Sequence, residues 1–492
     1  MVKTLDLTDI FIDRNQPLQK QLYKALLNKI ECQVFTSGSK LPSSRIMSES
    51  LGVSRNTIIQ VIEQLKSEGF LVAQAGKGIF ISSKMPNNIS DRSFSCSNKE
   101  KFFFSESTHS LPDLSNYGES IRSSSYSLSR WPKPLPFSPG LPDLEAFPHN
   151  KWCKLYRQNL DRITISGYGD SRGYLPLRKR LSEYLRISRG VHCSEEHIII
   201  TNGELEALDI CIRVILNKGD LVLIENPGYK RASFLFKSMD VNLQEIQVEN
   251  GILNVDNLIK KNFAAKLLFC SPTHQYPLGG IMELKDRVKL LNWAAKSKCW
   301  IFEDDYESEF YSQKKPVAAL QGLRKDAPVL YCGSFSKTLM PSLNLGYLVV
   351  PEPVAPAFIE AKGQISGPST LLYQAILADF IGEGHFVRHI RRMRNIYQEK
   401  WVHFCTLIQS RLKSQAQLIS PGTPMNLVIA TPGHEDIKLS KDLANHGFGS
   451  TPLSTCYFGK TKRSGLILGC ANTTTSQREE FISYLVRYLI KK

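Results

Sequence analysis

The 492-residue chain is 42% hydrophobic and 22% charged, which excludes a wholly disordered chain and leaves room for roughly two to four domains. It has no apolar window of about 18 residues, its N-terminus MVKTLDLTDIFIDRNQ lacks an apolar signal core, and its 11 cysteines never fall as C-x-x-C. A membrane protein, a secreted disulfide framework and a zinc ribbon are therefore set aside for a reducing cytoplasm. The net charge of +16 admits a polyanionic partner, yet residues 1–84 hold 11 Lys/Arg against 7 Asp/Glu, so the excess is no basic tail.

Leu18, Leu22, Leu26 and Ile30 recur on one helical face, with Pro17 suited to the first turn. After the Ser37-Gly38 turn, a helix is expected from Ser44 to Leu51, closed by Gly52. Ser54 is an N-cap candidate for a second helix through Glu68, with Ile58, Ile62 and Leu65 inward and Gly69 as its stop. FLVAQ and GIFIS then read as strands around the tip Ala75-Gly76-Lys77-Gly78. Two short helices, a tight turn and a β-hairpin make a winged helix-turn-helix, whose second helix would enter the major groove of DNA by its N-terminus. Ser54, Arg55, Asn56 and Thr57 stand there: hydroxyls and helix N-terminus suit phosphate, Arg55 and Asn56 suit base edges, and Lys77 at the wing tip suits phosphate or minor groove. The alternative is a small helical module that binds protein.

LPSSR (41–45), VSRNT (53–57), EGF (68–70) and GKGIFI (76–81) make this stretch resemble the GntR family of bacterial regulators. The resemblance implies DNA contacts by Ser43, Arg45, Arg55, Thr57 and Gly78, and a DNA-binding domain over residues 1–84. Fourteen of the next 46 residues, 85–130, are serine, as in a flexible linker; Phe102-Phe103-Phe104 is out of place there.

From residue 131 to 492 the pattern is α/β. Strands are expected at 197–201, 221–225, 266–270, 299–303, 329–332 and 346–350, separated by helical stretches as in parallel βαβ units, with a smaller C-terminal domain following. In YCGSFSKTLMP, Lys337 follows a strand among small hydroxyl residues, where a lysine can form a Schiff base with an aldehyde cofactor; Ser334 could bond a phosphate from the same turn. In CWIFEDDYESEF, strand alternation puts Phe302, Asp304 and Tyr306 on one face and Asp305 on the other. An ionised Asp304 aimed at a pyridine nitrogen would keep that ring protonated, and Tyr306 could reach its phenolic oxygen. The other reading is an acidic turn; with no His pair near, no metal is expected. IENPGYKR supplies Tyr229 to stack on a ring and Arg231 for a carboxylate. SPTHQYPLGG (271–280) is a loop where α/β sheets place ligands, and Gly203 in TNGELEALDI marks a turn whose amides could cradle phosphate.

Together with FSPGLPDLEAFP (137–148), YGDSRGYLPLRKRLSEYLRISRGV (168–191), GSFSKTLMPSL (333–343) and EGHFVRHIRRMR (383–394), these residues resemble the fold-type I aminotransferases, which bind pyridoxal 5′-phosphate. Behind a GntR-like head the whole resembles the MocR subgroup of transcription regulators. That implies a multi-domain fold: a winged helix-turn-helix, then a large, mostly parallel sheet with a smaller C-terminal α+β domain. It implies Lys337 as the Schiff-base lysine, Asp304 at the pyridinium, Tyr306 at the phenolic oxygen, Tyr229 on the ring and Ser334 at the phosphate. It also implies Tyr168 at the phosphate of the partner subunit, hence a homodimer, head-to-tail in the subgroup.

Three departures stand out. Asn344 replaces an arginine that in the subgroup pairs with the phosphate, a loss of roughly 1.5–3 kcal/mol. Glu204 occupies a turn that usually reads G-A/S-Q-Q-A-L; its carboxylate repels the phosphate if it points there. Leu466-Ile467-Leu468 stands where aminotransferases carry a late arginine for the substrate carboxylate, leaving Arg231. The expectation is a promoter-binding regulator that senses pyridoxal phosphate or an amine or amino-acid effector. Its alternatives are a working aminotransferase with an accessory head, and a regulator whose second domain has lost the cofactor.

Overall fold

The computed structural model describes residues 7, 10, 12–14, 16–32, 34–83, 113–123, 134–310, 318–412, 415–420, 422–459 and 462–490. The chain divides into two compact units, Met1–Asp113 and Leu114–Lys492. In the first, α1 (Leu18–Glu31) buries Leu22, Leu26 and Ile30, with Pro17 at its N-cap. The next helix, α2 (Ser44–Leu51), is capped by the Ser43 side chain and ends at a left-handed Gly52. Helix α3 (Arg55–Ser67) is capped by Ser54 and buries Ile58, Val61, Ile62 and Leu65. All three helices close on one core with Leu41, Phe70 and Ile81. Strands β1 (Leu71–Gln74) and β2 (Gly78–Ile81) pair antiparallel from Leu71↔Ile81 to Gln74↔Gly78. Lys40 adds a bridge to Phe80 that the sequence pattern did not signal.

The stretch 85–130, read as linker, is described only over 113–123, where a short helix α4 (Asn116–Ser123) interrupts it. Phe102-Phe103-Phe104 lies outside the described residues.

The second unit is built on eight strands: β3 (Ile198–Thr201), β4 (Leu221–Asn226), β5 (Asn242–Glu249), β6 (Ile252–Leu253), β7 (Leu267–Cys270), β8 (Trp300–Asp305), β9 (Val329–Ser334) and β10 (Gly346–Val349). Their order is β3-β10-β9-β8-β7-β4-β5-β6. Strands β9, β8, β7, β4 and β5 run parallel in sequence across the sheet. The expectation of parallel βαβ units fails for β10, which pairs antiparallel with both β3 and β9. The short Phe335–Leu345 connection before it carries a single turn of helix, Pro341–Leu343, too little for a crossover. Alternate strand residues feed opposite cores: Ile198, Ile200 and Tyr331 enter one, Ile199, Leu330 and Cys332 the other. That double burial is why these strands read as unbroken apolar runs.

This unit also holds α5 (His149–Asn159), α6 (Leu175–Arg189), α7 (Gly203–Ile215) and α8 (Lys230–Lys237), and α7 packs on β9 and β10. The C-terminal part adds an antiparallel sheet in the order β11-β12-β14-β13, from β11 (Gln417–Ser420), β12 (Leu427–Ala430), β13 (Thr451–Pro452) and β14 (Gly465–Leu468). Among the described residues no helix is long and apolar enough to cross a membrane.

Candidate functional site

The head presents its polar residues on the surface. Arg45, Ser54, Arg55, Asn56, Lys77 and Gly78 are exposed, as is Ser43, and Thr57 is half-buried. The Ser43 hydroxyl accepts from the Ile46 amide (3.3 Å), so capping α2 occupies one side of it. Ser54 accepts from the Thr57 amide at 3.2 Å, which pins the start of α3. Arg55 Nε donates to Ser44 Oγ (3.1 Å), tying α3 to α2 across the turn, and Arg45 pairs with Glu49 at 3.2 Å in solvent. Such exposed contacts are weak and open readily when a phosphate competes.

In the larger unit the candidates converge at one end of the central strands. Register places Thr201, Gly346 and Ser334 side by side on β3, β10 and β9. Beside them Cys332 is level with Asp304 and Gly333 with Asp305 on β8. Two residues past Thr201, Gly203 opens α7 at φ +78°, and a Cβ there would stand 2.8 Å from Asn344 Oδ1. A side chain at Gly203 would fill the space between the α7 N-terminus and the β9–β10 loop, where amide N–H groups favour an anion. The Ser334 hydroxyl is already engaged, accepting from the Ser336 amide at 3.1 Å and donating to Ser336 Oγ at 3.0 Å. Asn344 itself sits in the left-handed region at φ +46°, which asparagine tolerates better than most residues.

Lys337 follows directly. A Cβ at Gly140, itself at φ +69°, would lie 2.2 Å from Lys337 Nζ, so the absence of a side chain there is what gives the amine room. Asp304 and Asp305 separate as alternation requires. Asp305 turns into the sheet's packing, taking Arg189 Nε at 2.8 Å and the Tyr331 hydroxyl at 2.6 Å. Among the described residues Asp304 receives a long contact from Ser271 Oγ, 3.5 Å. Burial pushes its pKa well above the usual carboxylate range; Glu204, Asp305 and Glu225 push the same way, and the charge of Lys337 opposes them.

Three aromatic rings line the cleft. Tyr229 meets Tyr276 edge-on, centroids 5.8 Å apart, and Tyr276 meets Tyr306 edge-on at 6.1 Å. The Tyr306 hydroxyl is buried beside the Glu307 carboxyl. The Tyr229 hydroxyl donates to Glu204 Oε1 at 2.6 Å. Of the two orientations open for Glu204, its carboxylate takes the one toward Tyr229. Arg231 lies in the first turn of α8, half-buried, its charge near the Tyr229 hydroxyl. Tyr168 is fully exposed. Leu466, Ile467 and Leu468 are buried in β14, so no cation stands at that position.

The donor set fits pyridoxal phosphate: an amine with room around it, a buried acid, a buried phenol, and an anion cradle that a Cβ would fill. Sequence reasoning missed Gly140 and Tyr276, although both lie in motifs it had singled out. It also missed the buried carboxyls behind them. Glu225 is pushed up to about 8 by burial, against which the Ser271 amide and Gln275 act. Glu307, pushed up by burial to about 7, accepts from Thr423 Oγ1 (2.9 Å) and Asn426 Nδ2 (3.1 Å).

Comparison with known proteins divides the chain in the same way. Residues 18–81 match the bacterial regulatory proteins of the gntR family, and residues 135–485 match aminotransferase class I and II. The probable rhizopine catabolism regulatory protein MocR of Rhizobium meliloti is 34% identical over 477 residues, 96% of this chain and 94% of that protein. The HTH-type pyridoxine biosynthesis transcriptional regulator PdxR of Corynebacterium glutamicum is 26% identical, covering 91% of each chain. The solved α-aminoadipate aminotransferase of Thermus thermophilus superposes with a TM-score of 0.69 at 24% identity, over 77% of this chain and 97% of that one.

Proposed function

This chain belongs to the GntR family of bacterial regulators in its MocR-type form, a DNA-binding winged helix fused to an aminotransferase-like domain, and from that premise we propose that it controls transcription according to the occupancy of its Lys337 cleft by pyridoxal phosphate. The observation that carries the reading is the meeting of Lys337, Asp304, Tyr306 and Gly203 at one end of the sheet, with room kept at Gly140 and Gly203. When bound, the cofactor supplies an aldehyde that amines attack and a ring that withdraws electrons. Lys337 Nζ would hold its aldehyde end. Asp304 would keep a proton at the ring nitrogen, and the Tyr306 hydroxyl would donate to the ring oxygen. Tyr229 would cover one ring face, while the Gly203 amide, Ser334 and Asn344 would hold the phosphate. Arg231 would take the carboxylate of an amino-acid effector. Tyr168, exposed in the single chain, would complete the site in a partner subunit, making the functional unit a homodimer. The head would bind promoter DNA through Ser43, Arg45, Ser54, Arg55, Asn56 and Thr57, with Lys77 and Gly78 at the wing. An effector acts only through different affinities for two states of the dimer.

The apolar run Leu466–Leu468 weighs against efficient transamination, since turnover needs each amino acid held over the ring. One observation favours a second reading, a domain that only dimerises: Asn344 brings no charge to the phosphate cradle. Adding pyridoxal phosphate to the purified chain separates the two. A visible absorption band, fixed to the protein by borohydride and absent in Lys337→Ala, is expected; a colourless protein overturns the sensor. Arg55→Ala should abolish the specific promoter shift and leave that band unchanged.

A further inference from the structure

We propose that Glu204 is a positioning residue, which fixes the Tyr229 ring over the cofactor position by accepting a hydrogen bond from its hydroxyl. The inference rests on the cofactor reading above and concerns a residue that the glycine turn of the subgroup does not ordinarily carry.

A tyrosine ring has two free torsions, and stacking on a flat ligand requires both to be held. Tyr229 sits at the N-cap of α8, outside the helix proper, at φ −75° and ψ 102°. Its ring edge rests on Tyr276, centroids 5.8 Å apart with planes at 80°. That contact and the packing of the ring against the neighbouring core limit its rotation, which leaves the swing of the hydroxyl end to be held. The 2.6 Å bond to Glu204 Oε1 restrains the far end. A charged acceptor makes it stronger than a neutral one. Glu204 is itself held, because it lies in the first turn of α7, where a carboxylate is favoured by the helix dipole. The turn is closed separately by Glu206, which accepts from the Asn202 amide at 2.6 Å, so Glu204 is not needed as its cap. Alanine or serine at this position, the subgroup's usual residues, is too short to reach the phenol from the same backbone.

The carboxylate also acts on its surroundings. After burial, Glu204 is the foremost influence raising the pKa of both the Tyr229 phenol and the Asp304 carboxyl. Tyr229 therefore stays a donor, and the bond does not depend on its ionisation. The carboxylate faces Tyr229, while its charge still reaches Asp304.

The test is the visible circular dichroism of pyridoxal phosphate bound to the full chain, which reports how asymmetrically the ring is held. Wild type, Glu204→Ala, Glu204→Gln, Tyr229→Phe and the double variant Glu204→Ala/Tyr229→Phe are each titrated with the cofactor. The alanine and phenylalanine variants should lose dichroic intensity per bound cofactor to the same extent. They should also bind the cofactor a few-fold, up to about tenfold, more weakly, because the freed ring must then be ordered on binding. The double variant should lose no more than either single one, and glutamine, whose amide oxygen still accepts, should restore most of the signal. Wild-type dichroism in Glu204→Ala, or additive losses in the double variant, overturns the inference. Should the alanine variant not fold, Tyr229→Phe cuts the same bond from the other side, and a wild-type signal there overturns it equally. A wild-type chain that develops no visible band instead ends the cofactor reading, and this inference with it.

Discussion

Arg45, Arg55, Asn56 and Lys77 stand in solvent around α3 and the wing tip, whereas Asp304, Asp305, Glu225 and Glu303 are shut inside the second unit's sheet. The first group sits in high dielectric, where charge gains little until a phosphate arrives and its counterions leave. The second group has lost its water, so the partners inside the sheet matter more. Asp305 meets a cation, Arg189, and the Tyr331 hydroxyl. Glu225 accepts from the Ser271 amide and Glu303 from the Leu320 and Gln321 amides, and against these neutral donors burial still pushes them up to about 8 and about 7. The same side-chain chemistry thus reads a partner in one region and sets proton affinity in the other, and burial decides which.

The contrast can be broken from either side. The largest effect is expected from Arg189→Met, which strands Asp305 as an uncompensated buried charge and should cost about 3–5 kcal/mol in urea unfolding. A midpoint equal to wild type would show that the pair with Arg189 does not hold the fold. Next is Leu65→Ala in the head, fully buried on the inner face of α3, at about 2–5 kcal/mol. Peptide-resolved hydrogen exchange should show α1 and α3 opening more often, and unchanged protection would deny that this core holds the recognition helix. Asn344→Arg should tighten pyridoxal phosphate by roughly 1.5–3 kcal/mol, read as a lower Kd in a spectroscopic titration, if a charge is what the cradle lacks. No tightening would place the phosphate elsewhere.

The smallest effect is a slope. Glu225 is pushed above its unfolded value of 4.5 to about 8, so between those values the native state holds a proton that the unfolded chain has released. Stability must then fall as pH rises through that window. Glu225→Gln should flatten the decline between pH 5 and pH 8, measured as urea midpoints at the two ends. A decline identical to wild type would assign it to other carboxyls.

The head was almost wholly legible because each of its signals is local. Ser43 and Ser54 lie three residues from the amides they cap, and Gly52 lies directly after its helix. What escaped was Lys40, whose bridge to Phe80 spans the unit. In the larger unit, Asp304, Tyr306 and Lys337 were legible through strand alternation and a hydroxyl-rich turn. Gly140 and Tyr276 were not, since each acts on residues far along the chain: Gly140 on Lys337, Tyr276 on Tyr229 and Tyr306. The antiparallel course of β10 was misread because an apolar run has no direction.

Local periodicity, capping and turn chemistry thus determined the winged helix, the positions of six buried strands and the residue types able to hold a phosphorylated aldehyde. Only the folded chain decided that Glu204 faces Tyr229, that Asp305 is neutralised by Arg189 while Asp304 is left to its burial, and that Asn344 closes on Gly203. Those outcomes depend on pairs distant in sequence, and on how much water packing leaves at each. No window of neighbouring residues records either quantity.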